Sequence, residues 1–304
     1  MGSSYGACEP AVTELCGRGV GAQVIDASEL LHFRQPVLMG DVFLGLVSQS
    51  GESAEIVRLA GDVAERPDRP FALTVTNGLF NALVPYGDVA IDTCAGAEHG
   101  PSTMTFAASV VAMSAVARLA LQDDVDAVIE GVGEAADRAV AAVGELLGDP
   151  DASADRLVGW LGDARPIIVV GRGAAKGAAD MAALLLKETG TFAESLTSAA
   201  FRHGPFELAG RDLAVVVIAT EPGTRALDLG LARDLVDAGA SVLVITPDGE
   251  ALDGSYAVRI GYDERLLSPL VSVVPLQLLA WRLAARRGRV PGEFTRASKV
   301  TTRE

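Results

Sequence analysis

The chain has 304 residues, enough for one large domain or two modest ones, and two is the better prediction. Its formal net charge of −15 argues against a nucleic-acid partner, because binding along a phosphate backbone needs clustered lysine and arginine. Its apolar residues occur in short runs, none reaching the ~18 uninterrupted positions of a membrane span. Since the three cysteines lack metal-ligand spacing and no leader sequence precedes them, we expect a soluble, cytoplasmic protein with no membrane partner.

Short runs rich in Val and Ile, bounded by turn residues, indicate buried parallel strands. In chain order the predicted strands are 42–47, 71–75, 89–92, 166–170, 213–219, 241–245 and 257–260. Stretches with helical spacing lie at 52–64, 102–121, 125–147, 174–188 and 224–238. This alternation predicts an α/β fold in which parallel sheets are covered by helices on both faces.

The sequence also contains an internal repeat. Residues 33–36 match 201–205, and residues 50–53 match 222–225, at an offset of roughly 170 positions. A turn-rich stretch at 148–151 divides the two copies, which predicts a first domain at 1–148 and a second at 149–304. Because Gly171 follows a predicted strand and its counterpart Gly2 does not, we expect the first half to lack its opening strand and Met1 to be an internal start in a longer gene.

The segment Ser48-Gln49-Ser50-Gly51-Glu52-Ser53 follows a predicted strand and opens a predicted helix. Free backbone N–H groups at a helix N-terminus attract anions, and serine hydroxyls add further donors, so this segment is a candidate phosphate site. The alternative is that these residues only cap the helix. The matching segment of the second half, 220–225, carries an acid and a proline in place of donors, so only the first half is expected to hold phosphate.

Other groups that could carry chemistry are weaker when taken alone. Glu188 is a lone acid at a predicted helix C-terminus, where the helix dipole disfavours it, and His203 is a loop histidine. Lys299 is one of only three lysines in a chain where arginine is plentiful. No His, Cys or acidic cluster has metal-site spacing, and neither a dinucleotide turn nor a Walker-type loop is present, so neither metal nor cofactor is expected.

Five separated segments, in order along the chain, resemble the sugar isomerase (SIS) family, in particular the tandem isomerase domains of glucosamine-6-phosphate synthase and its relatives. These segments are 46–53, 95–103, 186–205, 274–280 and 298–301. The resemblance implies two tandem flavodoxin-like SIS subdomains, a homodimer, and cofactor-independent chemistry on a small sugar phosphate. The glutamine-hydrolysing part of the synthase is not matched, and Ser53 stands where the family usually has Thr.

The resemblance also implies a role for each matching residue. It assigns the phosphate to Ser48, Gln49, Ser50 and Ser53, sugar contacts to Ser4 and Ser102, proton transfer between C1 and C2 to Glu188, ring opening across a subunit interface to His203, and a contact from the tail to Lys299. A base, an acid–base group and a cation are the parts that aldose–ketose interconversion needs.

The sequence therefore predicts a phosphosugar isomerase acting on a ketose or amino-sugar 6-phosphate, with deamination and deglycation both open. The alternative is a regulator that binds sugar phosphate without turnover. Such a protein would need the segment 48–53, here called the serine loop, and little else. A third hypothesis is that the chain is inactive because its first half lacks the opening strand. No motif identifies the sugar.

Overall fold

A computed structural model describes residues 1–121, 124–162, 165–296 and 298–302. Its strands form two parallel sheets, of order β1-β2-β3 and β5-β4-β6-β7-β8. Their bounds are β1 Phe43–Val47, β2 Phe71–Thr76, β3 Val89–Asp92, β4 Ile167–Gly171, β5 Ala193–Thr197, β6 Ala214–Ile218, β7 Ser241–Thr246 and β8 Tyr256–Arg259. The predicted α/β class with parallel sheets is confirmed.

Helices alternate with these strands. Their bounds are α1 Gly2–Gly17, α2 Ala27–Glu29, α3 Ala54–Ala64, α4 Met104–Leu121, α5 Val125–Leu146, α6 Pro150–Leu161, α7 Ala174–Glu188, α8 Ser198–Arg202, α9 Arg225–Asp237, α10 Ser268–Ser272 and α11 Val274–Arg286. The turn between α5 and α6 contains the predicted boundary between residues 148 and 149. That division into two domains stays a prediction.

Both faces of the second sheet are buried. Val169 of β4 and Val216 of β6 pack in one apolar cluster with residues of α7 and α11. Their neighbours Val170 and Val217 point the other way, into a second cluster with residues of α9. Alternate side chains of a strand lie on opposite faces, so a sheet buried on both sides reads as a continuous apolar run. Because of these continuous apolar runs, β4, β6 and β7 could be predicted from the sequence.

The first sheet has three strands where the second has five. Among the described residues, none before β1 forms a strand, in line with the expected lack of an opening strand in the first half. In the sheet that the described residues form, β1 pairs with β2 and lies at the edge. Whether Met1 is an internal start stays a prediction.

The two halves meet where α1 crosses α7. A Cβ added at Gly6 would lie 2.8 Å from the carbonyl oxygen of Gly177, and one added at Gly177 would lie 2.3 Å from that of Gly6. The helices thus approach so closely that only glycine fits at the crossing. This contact brings the N-terminus of α1, with Ser4, and the C-terminal part of α7, with Leu184 and Glu188, to one cavity.

Two helical stretches among the described residues, Met104–Leu121 and Ser268–Arg286, are long and apolar enough on average to cross a membrane. Arg118 and Arg282 interrupt them, so neither is the uninterrupted apolar run that the sequence criterion required. The second stretch is 67% buried inside the protein and the first 33%. Core helices pass the same test of length and composition, and the expectation of no membrane partner stays a prediction.

Candidate active site

One cavity of about 330 Å³ collects nearly all of the predicted site residues. It lies where β1 ends and where the N-termini of α1 and α3, the C-terminus of α7 and the chain's tail converge. Its predicted lining residues are Ser4, Ser48, Gln49, Ser50, Ser53, Ser102, Glu188 and Lys299. It is also lined by residues that sequence reasoning did not assign, among them Met1, Glu55, Phe294 and Thr301.

The serine loop is built to leave donors free. The Ser48 hydroxyl oxygen accepts the N–H of Gly51 at 3.2 Å, and the Ser50 hydroxyl oxygen accepts that of Glu52 at 3.1 Å. Each hydroxyl therefore keeps its own hydrogen for a ligand. Ser53 is the N-cap residue of α3 but makes no side-chain cap bond. Helix capping alone thus does not account for these serines.

Gly51 gives the loop its shape. Its φ is +64°, and a Cβ at this position would lie 2.1 Å from Oδ1 of Asn81. Only glycine satisfies both the left-handed backbone and the close approach of the Asn81 side chain. The loop can then curl back over the N-terminus of α3, which is the arrangement that holds anions on backbone N–H groups.

The C-terminal tail closes the other side of the cavity. The Lys299 ammonium donates to Oε2 of Glu98 and to Oγ of Ser102, both at 3.2 Å. Two residues later, the carbonyl oxygen of Thr301 accepts the N–H of Ala54 at 3.1 Å. The tail therefore bridges the N-terminus of α4 and that of α3.

Glu98 is the main functional residue that sequence reasoning missed. Its side chain is 4% exposed and accepts the N–H groups of Thr103 and Met104, each at 2.7 Å, and the hydroxyl of Thr105. Burial opposes its ionisation, but the hydrogen bonds from Thr105 and Thr103 and the charge of Lys299 outweigh it and hold the pKa of Glu98 below its usual value. An acid just ahead of a predicted helix start was the available signal, since acids there commonly cap helices.

Glu188, the last residue of α7, is half-buried and faces the cavity. Its Oε2 is buried and has no hydrogen-bond partner among the described residues. Burial raises the pKa of Glu188 to about 7; the charge of Lys299 opposes this shift and that of Glu98 adds to it. A carboxyl group that titrates near neutrality, beside a cavity, is suited to accept and return a proton.

The structure does not bring His203 to this cavity. It is the exposed C-cap residue of α8 and is not among the residues that line the pocket. Within one chain the site therefore combines Glu188 and Lys299 but lacks the predicted histidine.

Comparison with known proteins identifies the family of the second half and the relatives of the chain. The SIS domain family model matches residues 161–287. The glutamine–fructose-6-phosphate aminotransferase of a Nostoc species is 30% identical over 292 residues, covering 89% of this chain and 45% of that protein. The chain thus spans about half the length of the curated relatives it matches.

Solved structures agree on the fold. The C-terminal domain of glucosamine-fructose-6-phosphate aminotransferase from Francisella tularensis matches with a TM-score of 0.84 at 23% identity, over 96% of this chain and 85% of that one. Glucosamine-6-phosphate deaminase from Thermotoga maritima matches with a TM-score of 0.76 at 19% identity, over 99% and 88%. The chain contains an SIS domain and is homologous to the isomerase domain of the aminotransferases.

In the second half of the chain, the segment that matches the serine loop places an acid at the start of α7. Glu221 is 8% exposed, and its Oε1 accepts the N–H of Ala174 at the start of α7, at 2.8 Å. Its Oε2 lies 3.2 Å from Nε of Arg265. The side chain thus occupies a helix N-terminus that could otherwise receive an anion. This explains the acid that the sequence showed in place of donors.

Among the described residues, no group of three or more His, Cys, Asp or Glu side chains is placed to hold a metal ion. The polar groups that line the cavity include hydroxyls, carboxyls, the Gln49 amide and the Lys299 ammonium. These groups can bind an anion and transfer protons.

Proposed function

We propose that this protein is a cofactor-independent enzyme that isomerises a ketose or amino-sugar 6-phosphate. The observation that carries the proposal is the buried, unpartnered oxygen of Glu188, which faces the same cavity as the free hydroxyls of the serine loop. A protein that only binds sugar phosphate has no use for a carboxyl group with a pKa of about 7 at that place. The binding function and the proton-transfer function thus share one cavity.

Binding starts at the phosphate. The hydroxyls of Ser48, Ser50 and Ser53, the Gln49 side chain and the start of α3 at Glu55 and Ile56 surround the end of the cavity next to β1. Charge-assisted hydrogen bonds of this kind contribute about 1.5–3 kcal/mol each, so they dominate affinity for a dianionic phosphate. Ser4 and Ser102 then contact the sugar.

Proton transfer follows at the other end. Glu188, ionised, removes a proton from the carbon next to the carbonyl group, which leaves an enediolate or, for an amino sugar, the corresponding enolamine anion. The proton of the adjacent hydroxyl or amino group moves to the former carbonyl oxygen, and Glu188 returns the carbon-bound proton to the neighbouring carbon, so the aldose–ketose exchange is completed with no net change in protons. The Lys299 ammonium and the N-terminus of α1 at Gly2 to Ser4 supply positive potential for the oxygen on which negative charge develops.

Ring opening needs a further acid–base group. We assign it to His203 of a second subunit of a homodimer, because within one chain His203 is exposed and outside the cavity.

The competing function is a non-catalytic regulator that binds sugar phosphate. It requires the serine loop but not Glu188 or Lys299. Release of ammonia from an amino sugar, or cleavage of a fructosamine phosphate, would use the same enolamine chemistry and remains open within the enzyme proposal.

Proton NMR in deuterated water tests the proposal. The intact chain is incubated with fructose 6-phosphate or glucosamine 6-phosphate, and the C1 and C2 hydrogens are followed alongside an ammonia assay. We expect loss of these signals by exchange with deuterium, and no loss with the Glu188→Gln variant. Ligand line broadening without any exchange in the wild-type chain would favour the regulator instead.

A further inference from the structure

One acid that lines the cavity is not used by the proposed function. Glu55 lies in the first turn of α3, two residues after Ser53, and both residues line the cavity. The Glu55 side chain is half-buried, and its buried Oε2 has no hydrogen-bond partner among the described residues. An acceptor that loses water without gaining a donor costs free energy, so Glu55 is suited to a contact that a ligand completes.

Neighbouring acids differ from Glu55 because their donors are in place. Glu52 of the serine loop is exposed, and its Oε1 accepts the N–H of Ala82 at 2.8 Å. Glu98 accepts hydrogen bonds from the start of α4 and from Lys299. The Lys299 ammonium is thus bound to Glu98 rather than to Glu55. A purely structural acid in this region has partners that Glu55 lacks.

A ligand phosphate does not supply the missing donor. A phosphate dianion has acceptor oxygens only, so on the serine loop it would leave Glu55 unpaired and would repel its carboxylate. The donor must therefore come from the sugar. Because Glu55 stands at the phosphate end of the cavity, the sugar groups within reach are those closest to the phosphate-bearing carbon. In a 6-phosphate these groups are O5 first and O4 next.

O5 donates a hydrogen bond in only one form of the sugar. In the closed ring O5 is bonded to the anomeric carbon and carries no hydrogen, so it can only accept. Ring opening breaks that bond, forms the carbonyl group and leaves the proton of the anomeric hydroxyl on O5. A carboxyl oxygen facing O5 therefore attracts the open chain and disfavours the ring, in which two acceptors would face each other.

We propose that Glu55 is a specificity-determining residue that selects the open-chain form of the sugar phosphate by accepting a hydrogen bond from the C5 hydroxyl. This inference rests on the proposed function, because proton transfer by Glu188 requires the carbonyl group that only the open chain has. Closed rings predominate in solution, so a cavity that binds the open chain more tightly raises the share of bound ligand that can react. Glu55 itself forms and breaks no covalent bond.

Two 6-phosphates that cannot isomerise test the inference on the full chain. Glucitol 6-phosphate is an open chain with a C5 hydroxyl, whereas 1,5-anhydroglucitol 6-phosphate is a permanent ring whose O5 has no hydrogen. Isothermal titration of the wild type should show binding of the open chain that is tighter by roughly tenfold or more. In Glu55→Met, which cannot accept, the two Kd values should agree within about threefold, because only the open chain loses a contact.

Glu65→Met is the matched control. It makes the same substitution in an exposed acid at the C-terminus of α3, outside the cavity, and should leave the ratio of the two Kd values unchanged. Glu55→Gln is a second variant in case Glu55→Met does not fold, and its neutral amide oxygen should keep only part of the preference. The comparison of two ligands in each variant removes any general effect on the cavity.

Failure of this inference differs from failure of the proposed function. A ratio in Glu55→Met equal to that of the wild type would overturn the inference, and so would an equal loss of affinity for both ligands, which would place Glu55 on a group that they share. Deuterium exchange of fructose 6-phosphate would then still support the enzyme. If the wild type binds neither 6-phosphate, the phosphate site is wrong and both proposals are overturned.

Discussion

The Lys299 ammonium lies 3.2 Å from Oε2 of Glu98, a carboxylate 201 positions earlier in the chain. The pair links the tail to the body of the protein at a carboxylate that is almost fully buried and is already fixed by the N-terminus of α4. Breaking a buried pair from one side leaves an uncompensated charge. The position of Lys299 over the cavity therefore depends on Glu98.

Glu98→Gln should release the tail. The amide oxygen can still accept N–H groups at the start of α4, but the charge that holds Lys299 is lost. We expect residues 298–302 to exchange their amide hydrogens roughly tenfold faster or more, because a hydrogen bond to a charged group contributes about 1.5–3 kcal/mol. Hydrogen exchange with mass spectrometry measures this, and Ser102→Ala, which removes only the neutral partner, should have a smaller effect. An unchanged tail would show that Lys299 is held by other contacts.

Turnover should depend on pH through Glu188. Its folded-state pKa of about 7 exceeds the usual value of 4.5, so the ionised form is lost as pH falls through about 7, and the exchange rate should fall with it. Lys299 lowers the pKa of Glu188, so Lys299→Met should move this limb to higher pH. The control is Lys187→Met, which alters a 48% exposed neighbour in sequence and should leave the limb in place. If the acidic limb of the pH profile does not move in Lys299→Met either, that limb does not report the ionisation of Glu188.

Glu188→Gln should abolish proton transfer and leave ligand binding nearly intact. Glutamine keeps the size of the side chain but cannot act as the base. Isothermal titration with fructose 6-phosphate should give a Kd within about threefold of wild type, while deuterium exchange at C1 and C2 falls by 10³-fold or more. If the Glu188→Gln variant loses ligand affinity as strongly as it loses deuterium exchange, Glu188 acts in binding rather than in proton transfer.

Ser48→Ala and Ser50→Ala should act on affinity. Each removes a hydroxyl that is free to donate to phosphate, so each should raise the Kd by roughly 10- to 100-fold. Ser153→Ala, which alters a serine of α6 outside the cavity, is the control and should not change the Kd. Normal affinity in both loop variants would place the phosphate elsewhere.

Gly51→Ala should disrupt the loop, because it adds backbone strain at φ +64° and a clash with Asn81. We expect a loss of stability of about 1–2 kcal/mol or more and a large loss of affinity. Gly133→Ala should have the opposite effect. Gly133 lies in α5 with nothing within 4 Å of an added Cβ, so the alanine variant should be more stable by up to about 1 kcal/mol. Thermal unfolding of the two variants compares them directly. Equal stability would mean that the loop adapts to alanine.

Buried strands and long helices could be predicted from the sequence because their apolar patterns are imposed by burial on both faces. β5 could not: its sequence, Ala-Glu-Ser-Leu-Thr, is that of a half-exposed edge strand and carries no such pattern. α1 was also missed, since its glycines and Pro10 argue against a helix when its packing on α7 is unknown.

The candidate site was predictable where residues stand at the ends of elements. The serine loop lies between β1 and α3, and Glu188 ends α7, so position in the sequence indicates position in the fold. Glu98 was missed because its partner, Lys299, is distant in sequence and only the path of the tail joins them. His203 remains a prediction, because its proposed partner residues belong to another subunit.

Glu221 marks a difference between the two halves of the chain. Its carboxylate, which is part of the chain, accepts the N–H of Ala174 at the start of α7, whereas the Ser48 and Ser50 hydroxyls beside α3 keep their own hydrogens free. Under the proposed function, a sugar phosphate should therefore slow amide exchange in the serine loop and leave exchange at the start of α7 unchanged.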